Sequence, residues 1–249
     1  MVRERGAPVV RKTFHEGPYE VRAAQARREF TRLERFAVAL NDVPGAACPR
    51  PLELLADPPG VRMEHAAGVD LFAFLAHHRF DAATRARVAD TIAAGIAAYV
   101  RALREPLPDF KFDNLLYQPA AGLLTFVDLG APQDALELDD RLSPYEVMMG
   151  DLLGYVVFQS ARPKYALRRR QHAETAALAA AVLRALRGAE LPLREPELVG
   201  AAQAAYRRCA LGRSLHRSAW YASVGYLLGR RVALQEATVG PLAPWRIPR

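Results

Sequence analysis

The sequence predicts an α+β fold, with a small strand-containing N-terminal part followed by a longer helical part that carries one embedded hairpin. Three observations lead to this. Residues 2–65 hold several short apolar runs broken by Gly and Pro, the pattern of brief strands and turns around one helix. From Asp70 onward, apolar residues recur mostly at helical spacing over long stretches. Within that helical part, Leu115-Leu116-Tyr117 and Leu123 to Val127 flank a Pro- and Gly-containing turn at 118–122, which reads as a hairpin. With 249 residues, 51% of them hydrophobic, the chain can bury a sizeable core. The expected division is 1–65 and 66–249.

Taken in order, Val2 to Arg5 and Pro8 to Phe14 read as a small hairpin around Gly6-Ala7. Pro18 to Leu40 reads as a helix, with Phe30, Leu33, Phe36, Ala37 and Leu40 on one side. Asn41 to Arg50 is a loop holding Pro44-Gly45. Pro51 to Ala56 and Val61 to His65 are two strands around Asp57-Pro58-Pro59-Gly60. Helices follow at Asp70 to His78 and Asp81 to Leu103. Asp81 is placed as N-cap, and Val88, Ile92, Ile96, Tyr99, Val100 and Leu103 form the buried stripe. After the hairpin come a polar, acidic stretch at Gln133 to Pro144 and an apolar helix at Tyr145 to Ser160. Asp151, inside that helix among apolar neighbours, must find hydrogen-bond donors. Helices at Ala173 to Arg187, Glu195 to Leu211 and Ser214 to Gln235 and a Pro-rich tail complete the chain.

Composition narrows the function classes. No apolar run is long enough to span a membrane, and the start lacks the apolar core of a signal peptide. Cys48 and Cys209 stand alone, which points to neither a disulfide framework nor a zinc site and fits a reducing, cytoplasmic setting. A net charge of +7 favours anionic partners, and peripheral contact with a membrane surface is compatible with it. The clusters Arg168-Arg169-Arg170, Arg207-Arg208 and Arg230-Arg231 read first as solvated helix faces. Nucleic acid is disfavoured as a partner, because no aromatic-basic motif or recognition helix accompanies the charge.

The hairpin brings three polar residues toward its open end: Asp109 and Asn114, spaced as D-x-x-x-x-N, and Asp128 in Asp128-Leu129-Gly130. Phosphoryl transfer requires such a set. One carboxylate orients the nucleophile's proton, while an amide oxygen and a second carboxylate hold Mg²⁺ on the phosphates. The plainer alternative is that Asp and Asn here only make turns. Lysine usage adds to the first reading. The chain has three Lys, at 12, 111 and 164, in an Arg-rich composition, so a retained Lys marks a place where a wide guanidinium does not fit. Glu29 lies on the side of Leu33 and Phe36, and a Glu facing an apolar side needs a cation. Lys12, on the strand before it, is the obvious partner. Glu34 is the fallback for that role, and a solvated Glu29 is the plain alternative.

The D-x-x-x-x-N, hairpin and D-x-G series, written here as DFKFDN and VDLG, resembles the catalytic and metal loops of the protein-kinase-like superfamily, and most of all its aminoglycoside-phosphotransferase-like small-molecule branch. The resemblance covers roughly Val9 to Phe158, with its specific motifs at 109–130. It implies a two-lobed protein-kinase-like fold, with a reduced β-containing N-lobe and a helical C-lobe. It implies ATP- and Mg²⁺-dependent transfer of a phosphoryl group to a hydroxyl. By the same resemblance Asp109 is the catalytic base, with Lys111 beside it. Asn114 and Asp128 are metal ligands, and Lys12 and Glu29 form the pair that positions the phosphates. Glu64, His65 and Ala66 are the hinge whose backbone meets the adenine, with Gly68 as its flexible point. Asp151 would support the catalytic loop. Two departures stand out. Only eleven residues precede Lys12, too few for a first strand and a phosphate-covering loop, and Leu107-Pro108 stand where the family carries a His. The charge favours an anionic small-molecule or glycolipid hydroxyl acceptor over an aminoglycoside. The rival from another class is a pseudokinase that binds a nucleotide or a partner as a scaffold and transfers nothing.

Overall fold

The computed structural model describes residues 8–105, 107, 110–129 and 169–187, and within them the chain is α+β. The expected strand at Val2 to Arg5, the acidic stretch, the helices at 145–160, 195–211 and 214–235, Asp109, Asp151 and the Pro-rich tail lie outside the described residues. The chain divides into two compact units, one formed by Met1–Phe74 and Asp90–Gln133, the other by Leu75–Ala89 and Asp134–Arg249.

The first unit begins with strand β1 (Val9–Thr13) and helix α1 (Tyr19–Ala39), which continues into a short 3-10 turn at Leu40–Asp42. Strands β3 (Pro51–Ala56) and β4 (Pro59–Glu64) form a hairpin, and β1 adds to the other side of β4 to give a sheet of order β1-β4-β3. Its register places Lys12 opposite Val61 and Thr13 opposite Gly60. Gly60 is required there, since a Cβ would sit 2.3 Å from the Lys12 carbonyl oxygen, and backbone cannot give way as a side chain can. Two contacts along the β3–β4 hairpin tie it in place: Glu53 pairs with Arg62 at 3.0 Å, and the Tyr19 hydroxyl donates to the Ala56 carbonyl at 3.2 Å.

The second sheet has the order β2-β7-β6-β5, from β2 (Ala46–Ala47), β5 (Val69–Asp70), β6 (Leu115–Gln118) and β7 (Leu123–Phe126). β6 and β7 are the hairpin expected from the sequence, paired antiparallel with Leu115 opposite Phe126. β2, in a stretch expected to be loop, pairs parallel to β7, and the Leu124 N–H donates to the Gly45 carbonyl at 2.8 Å. Helix α2 (Leu71–His77) follows β5, and the Asp70 carboxylate accepts from the Ala73 N–H at 2.6 Å. Helix α3 (Ala82–Leu103) opens as expected, with Asp81 accepting from the Thr84 N–H at 2.6 Å.

The core of this unit is aromatic. Phe36 of α1 meets Tyr99 of α3 at 5.0 Å and Phe126 of β7 at 5.4 Å between ring centroids, both edge-to-face. All three rings are fully or almost fully buried. Gly95 lets the Phe126 ring lie against α3, since a Cβ there would lie 2.4 Å from that ring.

In the second unit, helix α4 (Arg169–Arg187) buries Leu178, Val182 and Leu186, one stripe at four-residue spacing. Glu174 lies one turn ahead of that stripe and is nearly buried. It forms an ion pair with Arg79 at 3.3 Å and accepts from Arg85 at 3.2 Å, so its charge is paired where solvent is scarce.

Candidate functional site

Lys12 stands near the end of β1, where the alternation of the strand turns its ammonium toward α1. Its Nζ donates to Glu29 Oε1 at 2.8 Å and also to the carboxylate of Asp128. The Phe14 ring, just past the end of the strand, lies 5.5 Å from the same ammonium. Glu29 is where the helical spacing placed it, on the buried side of α1 with Leu33 and Phe36. The side chain of Glu29 is 2% exposed, that of Lys12 30% and that of Asp128 47%. The Lys12–Glu29 pair expected from the sequence is therefore present, and Asp128 joins it from the far end of the hairpin.

The electrostatics follow from this geometry. Burial raises the Glu29 pKa above the usual carboxylate range, and the Lys12 charge offsets only part of that. Burial alone would push the Lys12 ammonium down. The charges and hydrogen bonds of Glu29 and Asp128 together outweigh it and hold the pKa above the ordinary lysine value. One ammonium between two carboxylates leaves a net negative charge when all three are ionised. The second carboxylate oxygen of Glu29, Oε2, is buried without a hydrogen-bond partner among the described residues.

The hairpin positions the other two oxygen-bearing residues. A 3-10 turn at Phe112–Asn114 leads into β6, with the Asn114 N–H donating to the Lys111 carbonyl at 3.0 Å. The Val127 N–H in turn donates to the Asn114 carbonyl at 2.9 Å, extending the β6–β7 ladder by one bond. Asn114 and Asp128 thus stand at the open end of one hairpin, on opposite strands. Asp128 has φ 58°, a left-handed conformation that is uncommon for a residue with a side chain. Lys111 is half-buried just before the 3-10 turn. Asp109 lies outside the described residues, between Leu107 and Phe110, which are both buried.

The residues expected as a hinge lie at the end of β4. Glu64 is exposed, and its N–H donates to the Arg50 carbonyl at 3.0 Å. The His65 N–H donates to the Pro8 carbonyl at 3.0 Å. Ala66 follows, and the Ala67 carbonyl accepts from Gln118 Nε2 at 3.0 Å. Gly68 has φ 130° and packs against the Leu116 side chain and the Tyr117 carbonyl, both 3.1 Å from where its Cβ would be.

A second charged cluster was not foreseen from the sequence. Arg32, one turn beyond Glu29 on α1, donates from Nε to Glu105 at 2.6 Å, from Nη2 to the same carboxylate at 3.4 Å, and from Nη1 to the Leu129 carbonyl at 3.2 Å. The Tyr99 hydroxyl donates to Glu105 at 2.8 Å. Burial would raise the Glu105 pKa, but these donors outweigh it and hold it below the usual range. The Tyr99 phenol is shifted far upward, by burial first. The signal for Arg32 was available: it lies at i+3 from Glu29 and next to Leu33, so it is a charge on the same inward side.

Hard oxygen donors of this kind, one amide and one carboxylate, suit Mg²⁺. Among the described residues no three His, Cys, Asp or Glu side chains cluster as a metal site. Asn114 and Asp128 would hold a cation together with further oxygens, as phosphates supply. No protein-family model matches the chain, and no curated protein matches it.

Proposed function

We propose that this chain is an ATP- and Mg²⁺-dependent phosphotransferase with a two-lobed protein-kinase-like fold, acting on a hydroxyl of a small molecule or glycolipid. The observation that carries the reading is the Lys12 ammonium, held by buried Glu29 on one side and by Asp128 on the other. A strand, the helix that follows it and the distant end of the hairpin bring together there groups of the kind that phosphoryl transfer uses. Lys12 would give its charge to the phosphates, with Glu29 fixing its direction from α1. Asn114 and Asp128 would hold Mg²⁺, which when bound offsets the phosphate charge. Asp109 would take or orient the proton of the acceptor hydroxyl, a contribution typically of about 10²–10⁴-fold in rate. The N–H groups of Glu64 and His65 are engaged within the chain, so a bound adenine would use carbonyls of this segment or the Ala66 N–H. The net charge of +7 supports an anionic acceptor.

Calorimetry of ATP binding with and without Mg²⁺ tests the metal assignment. Asp128→Ala should abolish the Mg²⁺-dependent part of the affinity, and equal affinity in variant and wild type would sink it. In a screen of pooled hydroxyl-bearing metabolites, Asp109→Asn should lose turnover by orders of magnitude and keep its ATP affinity. A wild type that binds ATP but phosphorylates nothing would turn the reading to a pseudokinase scaffold.

A further inference from the structure

We propose that Arg32 is a positioning residue that sets the backbone at Asp128–Leu129, with its guanidinium locked by Glu105. The inference rests on the reading of Asp128 as the group that meets Mg²⁺ and phosphate.

Both edges of the guanidinium are committed. The Nε and Nη2 side faces the two oxygens of Glu105, and Nη1 reaches the Leu129 carbonyl. Glu105 is itself fixed, since its Oε1 also accepts from Tyr99, whose ring is fully buried against Phe36 of the same helix that carries Arg32. A planar fork that serves a carboxylate and a carbonyl at once cannot be replaced by an ammonium. Leu129 is buried, so its carbonyl is presented from a fixed residue.

The consequence falls on Asp128. Its left-handed backbone persists only where the surroundings hold it. Two handles do so, and both come from α1. Glu29 reaches the Asp128 side chain through Lys12, and Arg32 reaches the carbonyl of the next residue. The two are three positions apart on one helix, so α1 grips adjacent residues of the loop by independent means.

The test uses the full chain. In Arg32→Lys, the Mg²⁺ concentration that half-saturates the metal-dependent part of ATP binding should rise about 10–100-fold, as for other partners that orient a metal ligand. ATP affinity without metal should stay within about twofold, because Lys12 and Glu29 are untouched. Glu105→Gln should shift the Mg²⁺ dependence in the same direction and by less, and it decides the matter if Arg32→Lys does not fold. A role limited to charge or packing would be rescued by Lys, so a folded Arg32→Lys variant with wild-type Mg²⁺ dependence overturns the proposal. Ligand-free crystal structures of wild type and Arg32→Lys separate this result from the functional reading. Asp128 should leave the left-handed region in the variant, whether or not the wild type binds ATP. If it stays there, paired with Lys12, the positioning role is refuted even in an active phosphotransferase. If wild type binds neither ATP nor Mg²⁺ yet Asp128 moves, the function fails and the positioning stands.

Discussion

Removing Lys12 by Lys12→Met should destabilise the protein in a strongly pH-dependent way. Among the described residues, Glu29 would keep its buried position and lose the Lys12 partner of Oε1, while Oε2 has none. Arg32, whose charge also acts on Glu29, is committed to Glu105. Taking one partner from a buried pair typically costs about 3–5 kcal/mol. The lost contact with Asp128 adds little, because that carboxylate is half exposed. The carboxylate can escape by taking up a proton. Burial already raises the Glu29 pKa in the native state, and loss of Lys12 raises it further, against about 4.3 in the unfolded chain. A folded pKa above the unfolded one means that stability is full at low pH and is lost as pH rises between the two values. The loss relative to wild type should thus approach the full cost of the broken pair around pH 8 and be distinctly smaller around pH 5. Urea denaturation at both pH values measures it. Adding Glu29→Gln to Lys12→Met should recover most of the loss at the higher pH, since no buried charge remains. Equal losses at the two pH values, or a double variant no more stable than the single one, would refute the argument.

Gly95→Ala sets helix propensity against space. Alanine gains about 1 kcal/mol in a helix interior, but overpacking costs about 1–3 kcal/mol, and the Cβ would come within 2.4 Å of a Phe126 ring pinned edge-on to Phe36. A net loss of thermal stability is expected, and a variant that melts higher than wild type would contradict this packing. The Cys48 thiol donates to the Leu33 carbonyl at 3.6 Å, and burial pushes its pKa up to about 12. In a Cys209→Ser background near neutral pH, a thiol reagent should modify native protein markedly more slowly than denatured protein. Matching rates would refute the raised thiol pKa.

Local features were readable wherever a single element decides them. Spacing along α1 fixed the inward side of the helix, and with it Glu29, because a charge among Leu33 and Phe36 has to be paired. Asp81 announced its cap, and the apolar runs around 118–122 announced the β6–β7 hairpin. What escaped depends on residues far apart in sequence. β2 is two alanines whose strand state exists only because β7 offers an edge, so no pattern in 41–50 could disclose it. Arg32 finds Glu105 across 73 positions, beyond the end of α3, where no periodicity remains to read. Tyr99 was legible as core from its stripe, but its hydroxyl had to find an acceptor, and that acceptor sits outside the stripe. The Glu64 and His65 N–H groups were equally silent, since a backbone bond leaves no side-chain mark.

The two carboxylates on Lys12 are not equivalent, and the difference bears on the proposed chemistry. Glu29 cannot leave the ammonium without stranding a charge that is 2% exposed, so that contact is fixed. Asp128 is 47% exposed and can be resolvated at little cost. A competing cation would therefore draw Asp128 away first and leave Lys12 still tethered to α1. A lysine that must turn one N–H toward a phosphate oxygen without losing its direction needs this arrangement, one partner that stays and one that exchanges. On the proposed reading, the left-handed backbone at Asp128 and the Arg32 bond to Leu129 would keep the exchanging carboxylate at the end of the hairpin that Asn114 shares.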